Sequence, residues 1–218
     1  MSVRSALFSP TLAIRVRPMN EPEARVAATT IRPAVREDCR VIATLFAMGS
    51  EGLAEYLWSA IDEPGENPID AGARRCLRTG VAFSFENCFI ADRTSIAIGL
   101  LHLFAMDEAA SGPAEPIDPA LRPFFELRDV GSLCISALIV DPRYRGCGLG
   151  ARFLDTAEQQ ARLLRLPRLS LVVLQHNERA MRFYRRAGFR EIDRRALATH
   201  PAVPHWTGDA ILLTKAIL

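Results

Sequence analysis

Residues 135 to 150 constrain the fold of this chain more than any other stretch. An apolar run from Ile135 to Val140 gives way to Asp141-Pro142-Arg143-Tyr144, then to Arg145-Gly146-Cys147-Gly148-Leu149-Gly150. The run is short, apolar and partly β-branched, which predicts a buried strand. Pro142 ends it, having no backbone N–H to give a ladder. Three glycines at alternate positions let the chain turn tightly and approach a ligand with no Cβ in the way. From Ala151 to Ala161 the spacing is that of an amphipathic helix. Free N–H groups and the positive end of a helix dipole therefore meet at a glycine turn, an anion site suited to phosphate.

Three phosphate-bearing ligand classes use such a turn. A Walker-type loop needs lysine and then serine or threonine after its last glycine, and Ala151-Arg152 stands there instead. Gly146, Gly148 and Ala151 satisfy the dinucleotide pattern G-x-G-x-x-G/A. Against it, Asp141 to Arg145 separate the strand from the first glycine, and the next strand ends Leu174-Gln175-His176 with no carboxylate for a ribose. The third class is decided by residues further along.

The rest of the chain reads as alternating short elements. Thr29 to Pro33 predicts a strand, and Arg36-Glu37-Asp38 opens a helix whose buried face is Val41, Ile42, Leu45 and Phe46. Leu53, Tyr56, Leu57 and Ile61 mark a second helix ending near Pro64-Gly65, and Ile69 to Arg78 a third. Phe83 to Ala91 and Ser95 to Phe104 predict a hairpin turning at Asp92-Arg93-Thr94. Met106 to Val130 reads as a long loop with a helical turn around Phe124. Leu169 to Leu174 is a further buried strand, and Asn177 caps a helix that Gly188 closes. Phe189 to Arg195 and Ala210 to Ala216 are the last strands. This order is mixed α/β, with a strand–helix–strand crossover at its centre.

One domain, 29–218, accommodates these elements, with residues 1–28 as a flexible N-terminal extension. That extension carries Arg4, Arg15 and Arg17 with no acid before Glu21, the pattern of either a targeting peptide or an ordinary extension. A net charge of +2, with no basic run interleaved with aromatics, points to no nucleic-acid partner. No apolar run is long enough to predict a membrane span. Five cysteines, with no C-x-x-C pair and no histidines at metal spacing, predict reduced thiols, no metal and a cytoplasmic location. Cys147 reads as a small side chain turned away from the ligand.

Arg145-x-x-Gly148-x-Gly150 after Val140-Asp141-Pro142, followed by Asn177-x-x-Ala180-x-x-Phe183-Tyr184-x-x-x-Gly188-Phe189, resembles the GNAT superfamily of N-acetyltransferases. The element order from Thr29 to Leu218 matches, and the specific motifs span residues 133 to 189. The resemblance implies a mixed, mainly antiparallel central sheet with a parallel, splayed fourth and fifth strand pair and flanking helices. It implies acetyl-CoA or coenzyme A as cosubstrate and an amine-bearing acceptor, with direct transfer in a ternary complex; a homodimer is compatible with it. A non-catalytic acetyl-CoA sensor would carry the same motifs.

By position, the resemblance assigns the pyrophosphate to the backbone of Arg145, Gly146, Cys147, Gly148, Leu149 and Gly150. It assigns the pantetheine arm to Leu138, Ile139 and Val140, a cofactor contact to Asn177, and the general acid to Tyr184. An unpaired N–H near Leu138 would polarise the thioester carbonyl. The residues themselves leave the base open. His102 reads as a core or surface histidine, His176, His200 and His205 as loop histidines, and Glu51 and Glu55 as solvated charges, each also a candidate. Tyr56, Trp58 and Trp206 suit either the core or an apolar wall. Asp107, Glu108, Glu115 and Asp118 lean toward a cationic amine acceptor.

Overall fold

A computed structural model describes residues 29–59, 61, 63, 65–107, 118–119, 121–201 and 203–217. The expectations for residues 1–28, and for Glu108, Glu115 and Pro64, lie outside the described residues. Seven strands form one sheet: β1 (Thr29–Pro33), β2 (Cys88–Arg93), β3 (Ile96–Met106), β4 (Ser132–Val140), β5 (Arg168–Leu174), β6 (Arg190–Ala196) and β7 (Asp209–Ala216). Their order across the sheet is β1-β2-β3-β4-β5-β7-β6, with β4 and β5 parallel and every other pair antiparallel. The helices are α1 (Cys39–Gly49), α2 (Leu53–Ser59), α3 (Pro68–Cys76), α4 (Arg122–Glu126), α5 (Leu149–Leu163) and α6 (Glu178–Arg186). None of those described is long and apolar enough to cross a membrane.

The two faces of the sheet bury different clusters. Ile98, Leu101, Leu103, Leu133 and Ile135 pack beneath Phe153, Leu154, Ala157 and Ala161 of α5. Those four sit at helical spacing on one face of α5, the stripe that the crossover helix must bury. Ile90, Leu100 and Ile139 point the other way, against Cys39, Ile42 and Leu45 of α1. Arg32 of β1 holds Asp38, just ahead of α1, through two hydrogen bonds of 2.7 and 2.9 Å.

One expected strand starts late. Residues 83–87 leave the extended path because Ser84 accepts from the Glu86 N–H, and the Asn87 amide donates to the Val81 and Ala82 carbonyls. These side-chain bonds offer the backbone a 3-10 turn, Phe85–Asn87, in place of a ladder. The following hairpin turns at Thr94 and Ser95, both at positive φ, one residue beyond the expected position.

Candidate active site

The parallel pair is joined at its root only. Leu133 pairs with Leu169 and Cys134 with Ser170, and no further β4–β5 register exists among the described residues. A hydrogen bond of 2.6 Å between the Ser132 and Ser170 hydroxyls pins that root. Beyond it the strands diverge, leaving the β5-facing amides of β4 without a ladder. The gap opens into a cavity of about 650 Å³, walled by Ile135 to Ile139, Leu171 to Leu174, Asn177, Ala180 and Tyr184. On the α1 side the same cavity reaches Phe46, Gly49, Glu51 and Trp58, and at its far end Trp206.

A bulge shapes the β4 wall. Leu103 faces Ile135 and His102 faces Ala137, so Ser136 is an extra residue on β4. Ile135 packs on the α5 side and Ala137 on the α1 side, while Leu138 returns to the α5 side. The usual alternation is thus offset by one residue at Ser136, which is exposed to the cavity.

The glycine turn lies at the end of this wall. The Asp141 carboxylate accepts from the Arg143 N–H and pairs with its guanidinium, shaping a 3-10 turn over Pro142–Tyr144. Arg145 Nε donates to the Val140 carbonyl at 2.9 Å, folding its side chain back onto the strand end. Gly146 and Gly148 have φ of 81° and 86°, which a side chain would strain. The first bond of α5 runs from Arg152 N–H to Gly148 C=O, so the amides of Leu149, Gly150 and Ala151 have no partner in the helix. Nothing would lie within 4 Å of a Cβ at Gly146 or Gly148, so the cradle is open. Open space, free amides and a helix N-terminus suit a pyrophosphate. Leu149 itself is only 1% exposed, which leaves it a backbone amide to offer, and the Cys147 thiol is turned to the Arg145 carbonyl.

Tyr184 and Asn177 meet the cavity from α6. Tyr184 is packed between Phe183 and Phe189, with ring centroids 5.1 and 5.4 Å away, and burial pushes its phenol above the usual range. Asn177 caps α6 by accepting from the Ala180 N–H at 3.1 Å, so its carbonyl oxygen already has a local task. Of the expected contacts, Leu138, Ile139, Asn177 and Tyr184 share the cavity. Val140, the last residue of β4, and Arg145 to Gly150 on the turn are not among its lining residues.

Other polar groups form three sets that their sequence positions do not reveal. Glu51, between α1 and α2, holds His176 Nε2 at 3.0 Å and His205 Nε2 at 3.3 Å. It does so from a left-handed backbone, φ 54°, which a non-glycine residue adopts at a cost. Tyr56 donates to Asp118 at 2.9 Å, and His200 lies edge-on to its ring. His102 is a core histidine, 2% exposed, bonded to Ser136 and to the Ala82 carbonyl. Burial pushes it down to about 4. Trp58 and Trp206 are buried and line the cavity, and Trp206 Nε1 has no hydrogen-bond partner among the described residues. Glu55, within reach of the Ser50 hydroxyl at 3.4 Å, is tied into the start of α2.

Comparison with known proteins agrees with this geometry. The model of the acetyltransferase (GNAT) family matches residues 56–189. No curated protein matches the chain. Among solved structures, one described as an acetyltransferase superposes with a TM-score of 0.61 at 19% identity, covering 87% of this chain and all of its own. An N-acetyltransferase from Staphylococcus aureus Mu50 gives 0.56 at 16% identity, covering 85% of this chain and all of its own. The ribosomal-protein-S18-alanine N-acetyltransferase from Escherichia coli gives 0.55 at 16%, covering 87% of this chain and 94% of its own. At these identities the likeness is one of fold.

Proposed function

We propose that this chain, which belongs to the GNAT acetyltransferase family, moves an acetyl group from acetyl-CoA to an amine acceptor by direct transfer in a ternary complex. One observation carries the reading: the anion cradle at Gly146 to Gly150 lies at the end of β4, the strand that walls a cavity along the opened β4–β5 pair. A long ligand with a diphosphate at one end and a reactive group at the other matches that layout. The amides from Arg145 to Gly150 hold the pyrophosphate, and Leu138 to Val140 flank the arm. Asn177, with its carbonyl oxygen engaged as a cap, has its side-chain N–H groups left for that arm. Residues 29–218 act as one catalytic domain, and five unpaired thiols suit a reducing, cytoplasmic setting.

The chemistry needs a neutral amine, a polarised carbonyl and a protonated leaving thiol. A β4 amide freed by the splay, near Leu138, faces the charge that develops on the carbonyl oxygen, and such a fixed donor contributes about 3 kcal/mol. Tyr184 is the general acid. Its phenol is raised further above an ordinary thiol near 8.5, so proton transfer has to coincide with C–S cleavage, when charge gathers on sulfur in the same apolar pocket. The Glu51–His176–His205 set forms a polar mouth through which the amine approaches; the proton its nitrogen sheds on becoming an amide passes to water, and water returns one to Tyr184.

The Escherichia coli enzyme of similar fold is named for an alanine on a ribosomal protein, so peptides belong among the candidate acceptors. The test is acetylation of a library of small amines and peptides, followed by thiol release and mass spectrometry. Acetylated product supports the reading. Tight acetyl-CoA binding with no transfer to any acceptor would instead support a sensor.

A further inference from the structure

The bulge on β4 places one oxygen of unusual character, Ser136 Oγ, at the wall of the cavity. Hydrogen-bond valence settles that character step by step. His102 Nε2 lies 2.8 Å from the Ala82 carbonyl, which can only accept, so Nε2 carries the proton. The ring is buried among Phe46, Phe83 and Phe104 and stays neutral, so Nδ1 is bare. Nδ1 is the atom bonded to the Ser136 hydroxyl, and Ser136 must therefore be the donor. Its only proton is spent on His102, and what remains toward the cavity is lone pairs.

We propose that Ser136 Oγ, fixed by His102, is the hydrogen-bond acceptor that holds an N–H of the incoming amine and so aims the nitrogen lone pair at the acyl carbon. The inference rests on the acetyl-transfer reading above and deepens it by naming what the acceptor must present: a nitrogen bearing at least one N–H. Ser136 is the extra residue of the β4 bulge and lines the same cavity as Glu51 and the opened strands. A freely rotating serine would also offer its proton to the amine lone pair and block attack, and the bond to His102 removes that option. As the nitrogen attacks it gains positive charge, its N–H becomes a better donor, and the bond to Ser136 strengthens in the transition state. His102 acts through Ser136 as a positioning residue. A buried imidazole is a poor store for the amine proton, so orientation rather than proton relay is its part.

The test pairs kinetics with a readout that needs no acceptor. With the fastest acceptor from the library, Ser136→Ala should lower kcat/KM for the amine about tenfold while leaving KM for acetyl-CoA unchanged, and Ser136→Thr should recover most of the loss. Nitrogen chemical shifts of His102 in the wild-type protein should report a bare Nδ1 and a protonated Nε2, and His102→Leu should reproduce the Ser136→Ala kinetics if it folds. An Nδ1-protonated ring, or Ser136→Ala with unchanged amine kinetics in an active enzyme, overturns the assignment to Ser136 alone. A wild-type protein that transfers to no acceptor overturns the acetyl-transfer reading itself, and the role of Ser136 with it.

Discussion

Gly150 and Phe183 touch across two helices: a β-carbon on Gly150 would stand 3.1 Å from Phe183 Cζ. The contact joins the first turn of α5, whose amides face the anion cradle, to the helix that carries Tyr184. The two halves of the site are thus in register through one aromatic ring set against one bare backbone.

The glycines of the turn should respond differently to alanine. Gly148 lies at φ 86° with nothing within 4 Å of a Cβ, so Gly148→Ala costs about 1 kcal/mol through backbone strain alone and weakens acetyl-CoA binding as the turn relaxes. Gly150→Ala gains up to about 1 kcal/mol of helix propensity, offset by a small displacement of Phe183, and leaves stability nearly unchanged. Thermal melts and calorimetric titration with acetyl-CoA measure both.

Tyr184→Phe should keep the fold and the affinity for acetyl-CoA and lower kcat by about 10²-fold or more. Because burial raises the phenol, Tyr184 stays protonated through neutral and mildly alkaline pH. Any alkaline fall in kcat in that range belongs to another group. Steady-state rates across pH for wild type and variant check this, and an unchanged kcat in the variant would remove Tyr184 from the mechanism.

His102 should make the protein sensitive to mild acid. Its folded-state value, about 4, lies below the ordinary 6.5 of an unfolded chain. Between those values the unfolded state binds the extra proton, so stability rises with pH. The contribution is complete above pH 6.5 and is lost as pH falls toward 4, on the order of 3 kcal/mol in all. Denaturant midpoints over that window should show the slope, and a flat profile would contradict the buried, neutral ring.

Glu51→Gly should separate stability from turnover. Relief of the left-handed backbone stabilises the fold by up to ~1 kcal/mol, while the contacts to His176 and His205 disappear. Melting temperature is expected to hold or rise and kcat/KM for the acceptor to fall.

The glycine turn and the helix caps were legible from residues and spacing, because their conformations are set by backbone. Glycines at 146, 148 and 150, Pro142 and the caps at Asn177 and Gly188 carry their conformations in their chemistry, and the elements around them stand within a few residues of their expected places. The polar sets around Glu51 and Ser136 were not legible in this way. Glu51, His176 and His205 are far apart in sequence and converge only once the sheet is ordered β5-β7-β6. Ser136 sat inside a run that reads as plain strand, and nothing local marks it as the bulge. The displaced start of β2 had a signal after all, in Ser84 and Asn87, whose side chains favour turns.

The extra residue in β4 also gives the strand two phases. Residues before Ser136 and residues after it answer to the cores in opposite parity, and both sets line the cavity. Deleting Ser136 alone would restore regular alternation with every flanking residue still on its present face, Ile135 and Leu138 toward α5 and Ala137 and Ile139 toward α1. A one-residue gap at this position between relatives would therefore mark the loss of the Ser136 side chain from the cavity wall, with both cores left as they are.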